Sequence, residues 1–287
     1  MLFRSGYAAV RDTRPFKDWN VVTTRDNGAR ARYQSVTAEL NKRMTQGLQL
    51  NASYTLARNQ SDAGGAVPSS FPGENGSTTL DLYRGNADFG DVAFTRRHRF
   101  VTTFLYPLPF GRNRAVASQV GPALDLLVGG WDVAGVGLLQ SGPFLTPSFS
   151  NADPSGTGAT VRGFTDTQRP DCAGDGNITN PTVDAYFDRS TFVRPANNIG
   201  RFGSCAVGTL VGPGTGVFSM TVGKSFPVAP PARLRFEMAF SNLFNVENLD
   251  VPGTLNITSG SFGRITRTQP VDQAGPRTVQ FSLRFSF

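Results

Sequence analysis

Few side chains in this sequence are of types that carry out covalent or metal chemistry. There is one histidine, His98, set among Arg96, Arg97 and Arg99, and there are two cysteines, Cys172 and Cys205. With one histidine and no recognisable nucleophile–base pair, catalysis is not expected. Neither cysteine belongs to a C-x-x-C pair and His98 is distant in sequence, so zinc ligation is poorly supported. Both cysteines lie in one long segment rich in Gly, Asn and Asp. A disulfide made in an oxidising compartment fits them better than two unpaired thiols, which remain the alternative. Asp171, Asp175 and Asn177 around Gly174 and Gly176 have the look of a calcium loop but lack its full spacing and its terminal Glu. Asp88-Phe89-Gly90 copies a kinase triplet without the accompanying loops. Gly212–Gly216 has no Lys where a phosphate loop needs one. No enzyme activity, cofactor or metal is expected.

The elements that would position these residues follow from composition and periodicity. The chain has 287 residues, with 32 Gly, 19 Pro and 23 Phe but only 17% charged residues. Segments rich in Ser, Thr, Asn and Gly alternate with short apolar-polar runs, and no amphipathic helix of three turns stands out, which indicates an all-β protein. No run approaches the ~18–20 apolar residues of a membrane helix, and the mean hydropathy is −0.22. A β-barrel escapes such scans because only alternate strand residues face lipid. The formal net charge is +7, but the basic residues are scattered along the chain, so nucleic acid is not an expected partner. Met1-Leu2-Phe3-Arg4 does not begin a signal peptide. For an exported protein this implies that an N-terminal part lies elsewhere. Residues 1–17 read as a loop or a truncated edge, and 18–287 as barrel.

The C-terminus carries the clearest pattern. Over the eleven residues from Arg277 to Phe287, Val279, Phe281, Leu283, Phe285 and Phe287 alternate with Thr278, Gln280, Ser282, Arg284 and Ser286. One face is therefore wholly apolar and the other wholly polar, over the ~9–11 residues a tilted strand needs to cross a bilayer. Upstream, Leu234, Phe236, Met238 and Phe240 alternate with Arg233, Arg235, Glu237 and Ser241. Phe218, Met220 and Val222 alternate with Ser219, Thr221 and Gly223. Near the start, Val36, Ala38 and Leu40 alternate with Thr37, Glu39 and Asn41. After a turn at Thr45-Gln46-Gly47, Leu48 to Leu56 alternate with Gln49, Asn51, Ser53 and Thr55, making a hairpin. Two further strands run from Arg97 to Leu108 and from Gly130 to Gln140, the second with no decidable outward face. A short strand is expected at Trp19–Thr24.

The links between these strands alternate strictly. Those at 44–47, 109–129 and 226–231 are short or moderate; those at 58–96, 141–215 and 244–276 are long and polar. Short periplasmic turns and long extracellular loops produce this alternation in an up-and-down outer-membrane barrel. With Phe287 at the periplasmic end, all three long loops, including the one with both cysteines, fall outside the cell. The fold expected is an antiparallel transmembrane β-barrel, present as about seven or eight strands of a larger one. Glu39, Asn41, Gln49, Asn51, Arg233, Arg235, Glu237, Gln280, Ser282 and Arg284 would face its lumen. Val279, Phe281, Leu283, Phe285 and Phe287 would face lipid. The rivals are a secreted soluble β-sandwich that binds carbohydrate or protein, and a small complete porin-like barrel.

Tyr33–Arg43 and Gly47–Ala57 resemble strands of TonB-dependent receptors of the Oar-like group. So do Arg97-His-Arg-Phe-Val101, Leu108-Pro-Phe-Gly111 and Gly129-Gly-Trp131. Phe236–Asn245 is similar to the penultimate strand and its adjoining loop, and the terminal strand resembles the signal recognised by the barrel-assembly machinery. The resemblance covers the chain from about Asp18 onward; order and spacing carry it rather than any single motif. It implies a barrel of about 22 strands with an N-terminal plug, driven by a TonB complex that grips a box ahead of the plug. Neither plug nor box is recognisable in this sequence, so both are expected outside it. It further implies uptake of a large solute such as an iron chelate or oligosaccharide, or export of a protein.

Overall fold

The computed structural model of the chain describes residues 30–45, 47–62, 85–149, 155, 168–229, 231–270 and 274–287. The segment 1–17 and the strand expected at Trp19–Thr24 lie outside these residues. Seven long strands dominate: β1 (Ala31–Thr45), β2 (Leu48–Ser61), β3 (His98–Pro107), β4 (Trp131–Gln140), β5 (Thr215–Ala229), β6 (Ala232–Ser241) and β7 (Thr278–Ser286). They pair in chain order into one antiparallel sheet, with β1 and β7 at its open edges. Lengths of 9 to 15 residues suit a bilayer crossing better than the ~5–6 residues of a soluble strand.

The register carries each strand's alternation into its neighbours. Leu234, Phe236, Met238 and Phe240 of β6 lie opposite Phe285, Leu283, Phe281 and Val279 of β7. Phe226, Val222 and Met220 of β5 continue that face, as do Val36, Ala38 and Leu40 of β1 beside Leu56, Tyr54 and Ala52 of β2. The face of β4 that the sequence left open is decided by its neighbours. Val133, Gly135 and Leu139 lie opposite Tyr106, Phe104 and Phe100 of β3 and opposite Val222, Met220 and Gly216 of β5. Trp131, Val133, Gly135, Gly137 and Leu139 therefore share the apolar face. Two glycines disguised it. A Cβ at Gly135 would fall on the Phe104 ring, and one at Gly137 would sit 2.9 Å from Thr102 Cγ2 and 3.3 Å from Phe218. Their absent side chains admit the stacked Phe104 and Phe218 rings, 6.2 Å apart. On its other face β4 presents Ala134, Val136 and Leu138, so alternation along β4 alone gave no answer.

Three strand boundaries differ most from expectation. β2 runs on to Ser61, into the link expected at 58–96. β5 runs on to Ala229 instead of ending before a link at 226–231. Its pairing with β4 stops at Lys224–Trp131, so beyond that point it has edge character and Pro227 is tolerated. β6 ends at Ser241, short of the link expected at 244–276, because Asn242 takes a φ of 49°, a left-handed conformation that Asn accepts more readily than most residues.

The apolar face is uncovered: Val36, Leu40, Leu56, Leu139, Val279, Phe281, Leu283 and Phe285 are all exposed. Among the described residues the remaining sheets are only Phe144–Leu145 with Leu210–Val211, and Asp171–Cys172 with Phe192–Val193. Neither supplies the second large sheet that a sandwich packs against its apolar face. The links segregate by end. β1–β2, β3–β4 and β5–β6 join at one end, where the β3–β4 link holds a short helix, α1 (Pro122–Val128). The three long links leave from the other end and are not merely polar loops. Leu145, Phe149, Phe187, Phe192, Cys205 and Leu210 of the second link pack with Ile257 and Phe262 of the third in one hydrophobic core.

Candidate functional site: the polar face and its cap

All ten residues expected to face a lumen fall on the one face opposite the apolar stripe. Asn41 lies opposite Asn51, Gln49 opposite Leu105 of β3, and Arg233, Arg235 and Glu237 opposite Ser286, Arg284 and Ser282. The structure links only some of them. Arg235 grips Asp132 of β4 through two 2.8 Å hydrogen bonds and donates from Nε to Glu237 at 2.6 Å. It reaches Asp132 across β5 over Gly223, where any Cβ would meet the guanidinium and stand 2.9 Å from the Asp132 carboxylate. Ser282 donates to Glu237 at 3.4 Å. The two carboxylates offset the repulsion between Arg235 and Arg284, which are directly opposed. Glu39, Asn41, Gln49 and Asn51 share the face on β1 and β2 without joining this network. Asp132, its central acid, was not singled out in the sequence because the orientation of β4 was undecided there.

At the long-link end a hydrogen-bond chain leads from this face into the cap. Arg99 donates to Gln140 at 3.0 Å, Gln140 to Thr215 at 3.2 Å, and Thr215 to Gln269 of the third link at 2.7 Å. The Gln269 amide in turn donates to the carbonyls of Leu249 and Gly214. Beside it, Asn248 is buried; its Oδ1 accepts the Gly216 N–H at 2.7 Å while its amide reaches Ala274. Asn242, fully buried, donates to the carbonyls of Val246 and Gly275 and accepts from the Val246 N–H. These amides fold the third link back on the strand ends. Ser-Asn-Leu-Phe-Asn at 241–245 was their only trace in the sequence.

The cap itself joins all three links. From the first, Asp88 pairs with Arg169 of the second at 2.7 Å, both largely buried, and Gly90 and Gly208 allow backbone approaches that a side chain would block. The second and third links meet in a parallel bridge between Ser148 and Asn256. Cys172 and Cys205 form a disulfide, with Cα atoms 4.9 Å apart. Next to it Arg201 binds Asp171 through bonds of 2.6 and 2.9 Å, and the Ser204 N–H adds a third. The Arg201 hydrogen bond chiefly holds the Asp171 carboxyl below its usual range, against the opposing effect of burial. Burial raises the Tyr186 phenol.

The other candidates have structural roles. Asn177 accepts from the Val211 N–H and donates to the Thr209 carbonyl, while Asp175 accepts the Asn177 N–H. With Asp171 committed to Arg201, these side chains tie the cap together. Among the described residues no group of three His, Cys, Asp or Glu side chains is placed to hold a metal. His98 lies on the apolar face, its Nδ1 2.8 Å from the Tyr54 hydroxyl.

Long antiparallel strands paired in chain order, an uncovered apolar face and long links confined to one end define a wall segment of a transmembrane β-barrel. A family model described as outer membrane beta barrel domain matches residues 4–280. The chain belongs to that family, and its place is the outer membrane. No curated protein and no solved structure matches it.

Proposed function

We propose that this chain is part of the wall of a TonB-dependent transporter of the Oar-like kind, with its polar face lining the passage and its cap contacting a large solute. Sequence resemblance supports the TonB-dependent part. The observation that carries the role of the site is the chain from Arg99 through Gln140 and Thr215 to Gln269, which makes the cap and the polar face one connected structure. Loops held on a rigid scaffold are the usual carriers of recognition. The apolar stripe of Val279, Phe281, Leu283, Phe285 and Phe287 faces lipid, and the terminal strand is the element handed to the barrel-assembly machinery. The driving force enters from a TonB complex through a plug domain. The solute is a ferric chelate, an oligosaccharide or a molecule of similar size.

The test is uptake of a panel of labelled ferric chelates and oligosaccharides by wild-type cells and by cells lacking the gene, with and without a protonophore. Loss of uptake of one solute on deletion, and equally on collapse of the proton gradient, is the expected outcome. Uptake of every solute unchanged by deletion, or a deletion-sensitive uptake indifferent to the protonophore, overturns the proposal. An antibody to residues 232–287 adds a second check on fractionated envelopes. A band well above 30.8 kDa in the outer membrane is expected.

A further inference from the structure

Lys224 breaks the pattern of the apolar face. It lies opposite Trp131 and Phe236, in line with Met220 and Val222, on the face where a cation is least welcome in a bilayer. Yet it is almost fully buried. Its ammonium donates to the carbonyls of Leu127 at 3.1 Å and Gly129 at 2.5 Å, the C-terminal end of α1, where a helix carries partial negative charge. It also stands 4.6 Å from the centre of the Trp131 ring and 5.1 Å from that of Phe226. The Trp131 indole N–H donates to Leu127 O at 2.9 Å. Two residues of the apolar face thus hold the end of α1, which places the helix on that side of the wall, at the short-link end.

The helix so held has one charged residue, Asp125, which turns back to accept the Arg112 N–H. None of its residues is buried, and Leu124, Leu126 and Leu127 are 49%, 51% and 69% exposed. Leu124 and Leu127 are three residues apart and share one side of the helix. Phe110 and Val116 in the same link are exposed as well. An apolar helix tied beside Trp131, with none of the described residues covering it, continues the membrane-facing surface of the wall.

We propose that α1 is an interfacial helix lying in the periplasmic leaflet against the outside of the barrel, with phospholipid acyl chains packed on Leu124 and Leu127. Lys224 fixes it there, and α1 shields that lysine from the bilayer in return. This inference rests on the assignment of the apolar face to lipid. An interfacial helix buries its apolar side about 5–10 Å into the boundary of headgroups and acyl chains, beside the aromatic belt that Trp131 would occupy.

The test uses the intact outer-membrane protein that contains this wall segment, refolded into phosphatidylcholine vesicles, with one fluorophore on an introduced cysteine at L127C, F281C or N51C; Cys172 and Cys205 are paired and do not react. Acyl chains brominated near the headgroup or near the chain end serve as quenchers. Loss of L127C fluorescence, larger with the shallow bromines, together with quenching of F281C and not of N51C, is the expected result. An unquenched L127C beside a quenched F281C overturns the interfacial helix and leaves the face assignment standing, as would cover of α1 by protein. An unquenched F281C beside a quenched N51C overturns the face assignment itself. L124C, on the same exposed side, repeats the measurement should L127C not refold.

Discussion

The wall and the cap of this molecule are built by opposite rules. In the wall, large apolar side chains such as Phe281, Leu283 and Leu139 are exposed, and order comes from continuous backbone pairing across seven strands. Among the described residues of the cap there is almost no regular structure, yet Leu145, Phe149 and Leu210 are nearly or completely buried, as in a small water-soluble domain. The difference shows one chain meeting two solvents. Lipid takes apolar side chains and tolerates no unpaired backbone. Water reverses both demands, and a segment with too few ladder bonds is then held by a core, a disulfide and buried amides.

Four variants break or sharpen that contrast. The largest effect is expected from Phe281→Arg combined with Leu283→Arg, each charge costing roughly 2–4 kcal/mol near the bilayer centre. For the intact outer-membrane protein that contains this segment, the folded, fast-migrating form on unheated gels should disappear after refolding into vesicles, and its persistence would mean that this face is not in lipid. Phe149→Ala should cost the cap about 3–5 kcal/mol and leave the wall intact. Hydrogen exchange is then accelerated in 168–210 while the amides of β3 to β6 stay protected. If strand protection falls equally, wall and cap are one cooperative unit.

Replacing Cys172 and Cys205 by Ser comes next, at about 2–4 kcal/mol. Limited proteolysis should then cut within the second link of the double variant but not of the oxidised protein. The smallest effect concerns Asp171. Its carboxyl is held below the usual range by Arg201, so this pair contributes stability at pH values above the ordinary carboxylate pKa of about 3.9. That contribution is lost as the pH falls through the lowered folded value. The segment 171–204 should loosen at acid pH in the native chain, and Asp171→Asn should already be loose at neutral pH with no such acid step. An acid step unchanged by the substitution would point to other carboxylates.

How much of this was legible beforehand varies with the element. β6 and β7 were legible because each pairs a wholly apolar row with a wholly polar one. β4 was not, since Gly135 and Gly137 occupy the apolar row and Val136 and Leu138 the other. Only its neighbours Phe104 and Phe218 explain the glycines. The cap was read as three polar loops because its core residues come from two links, and Leu145 and Ile257 show no period. Arg235, Glu237 and Ser282 were expected on one face and are joined there, whereas Asp132, Gln269, Asn242 and Lys224 gain their roles from partners distant in the chain.

By itself the sequence determined the strands, their alternation and the order of short and long links, because a pleated strand puts a period of two directly into the chain. Tertiary structure decided the rest: which face β4 shares, which amide closes which loop, and where α1 lies. Those outcomes depend on register and on side chains meeting across more than a hundred positions, as Arg235 meets Asp132 at a separation of 103, and no local period encodes such a meeting.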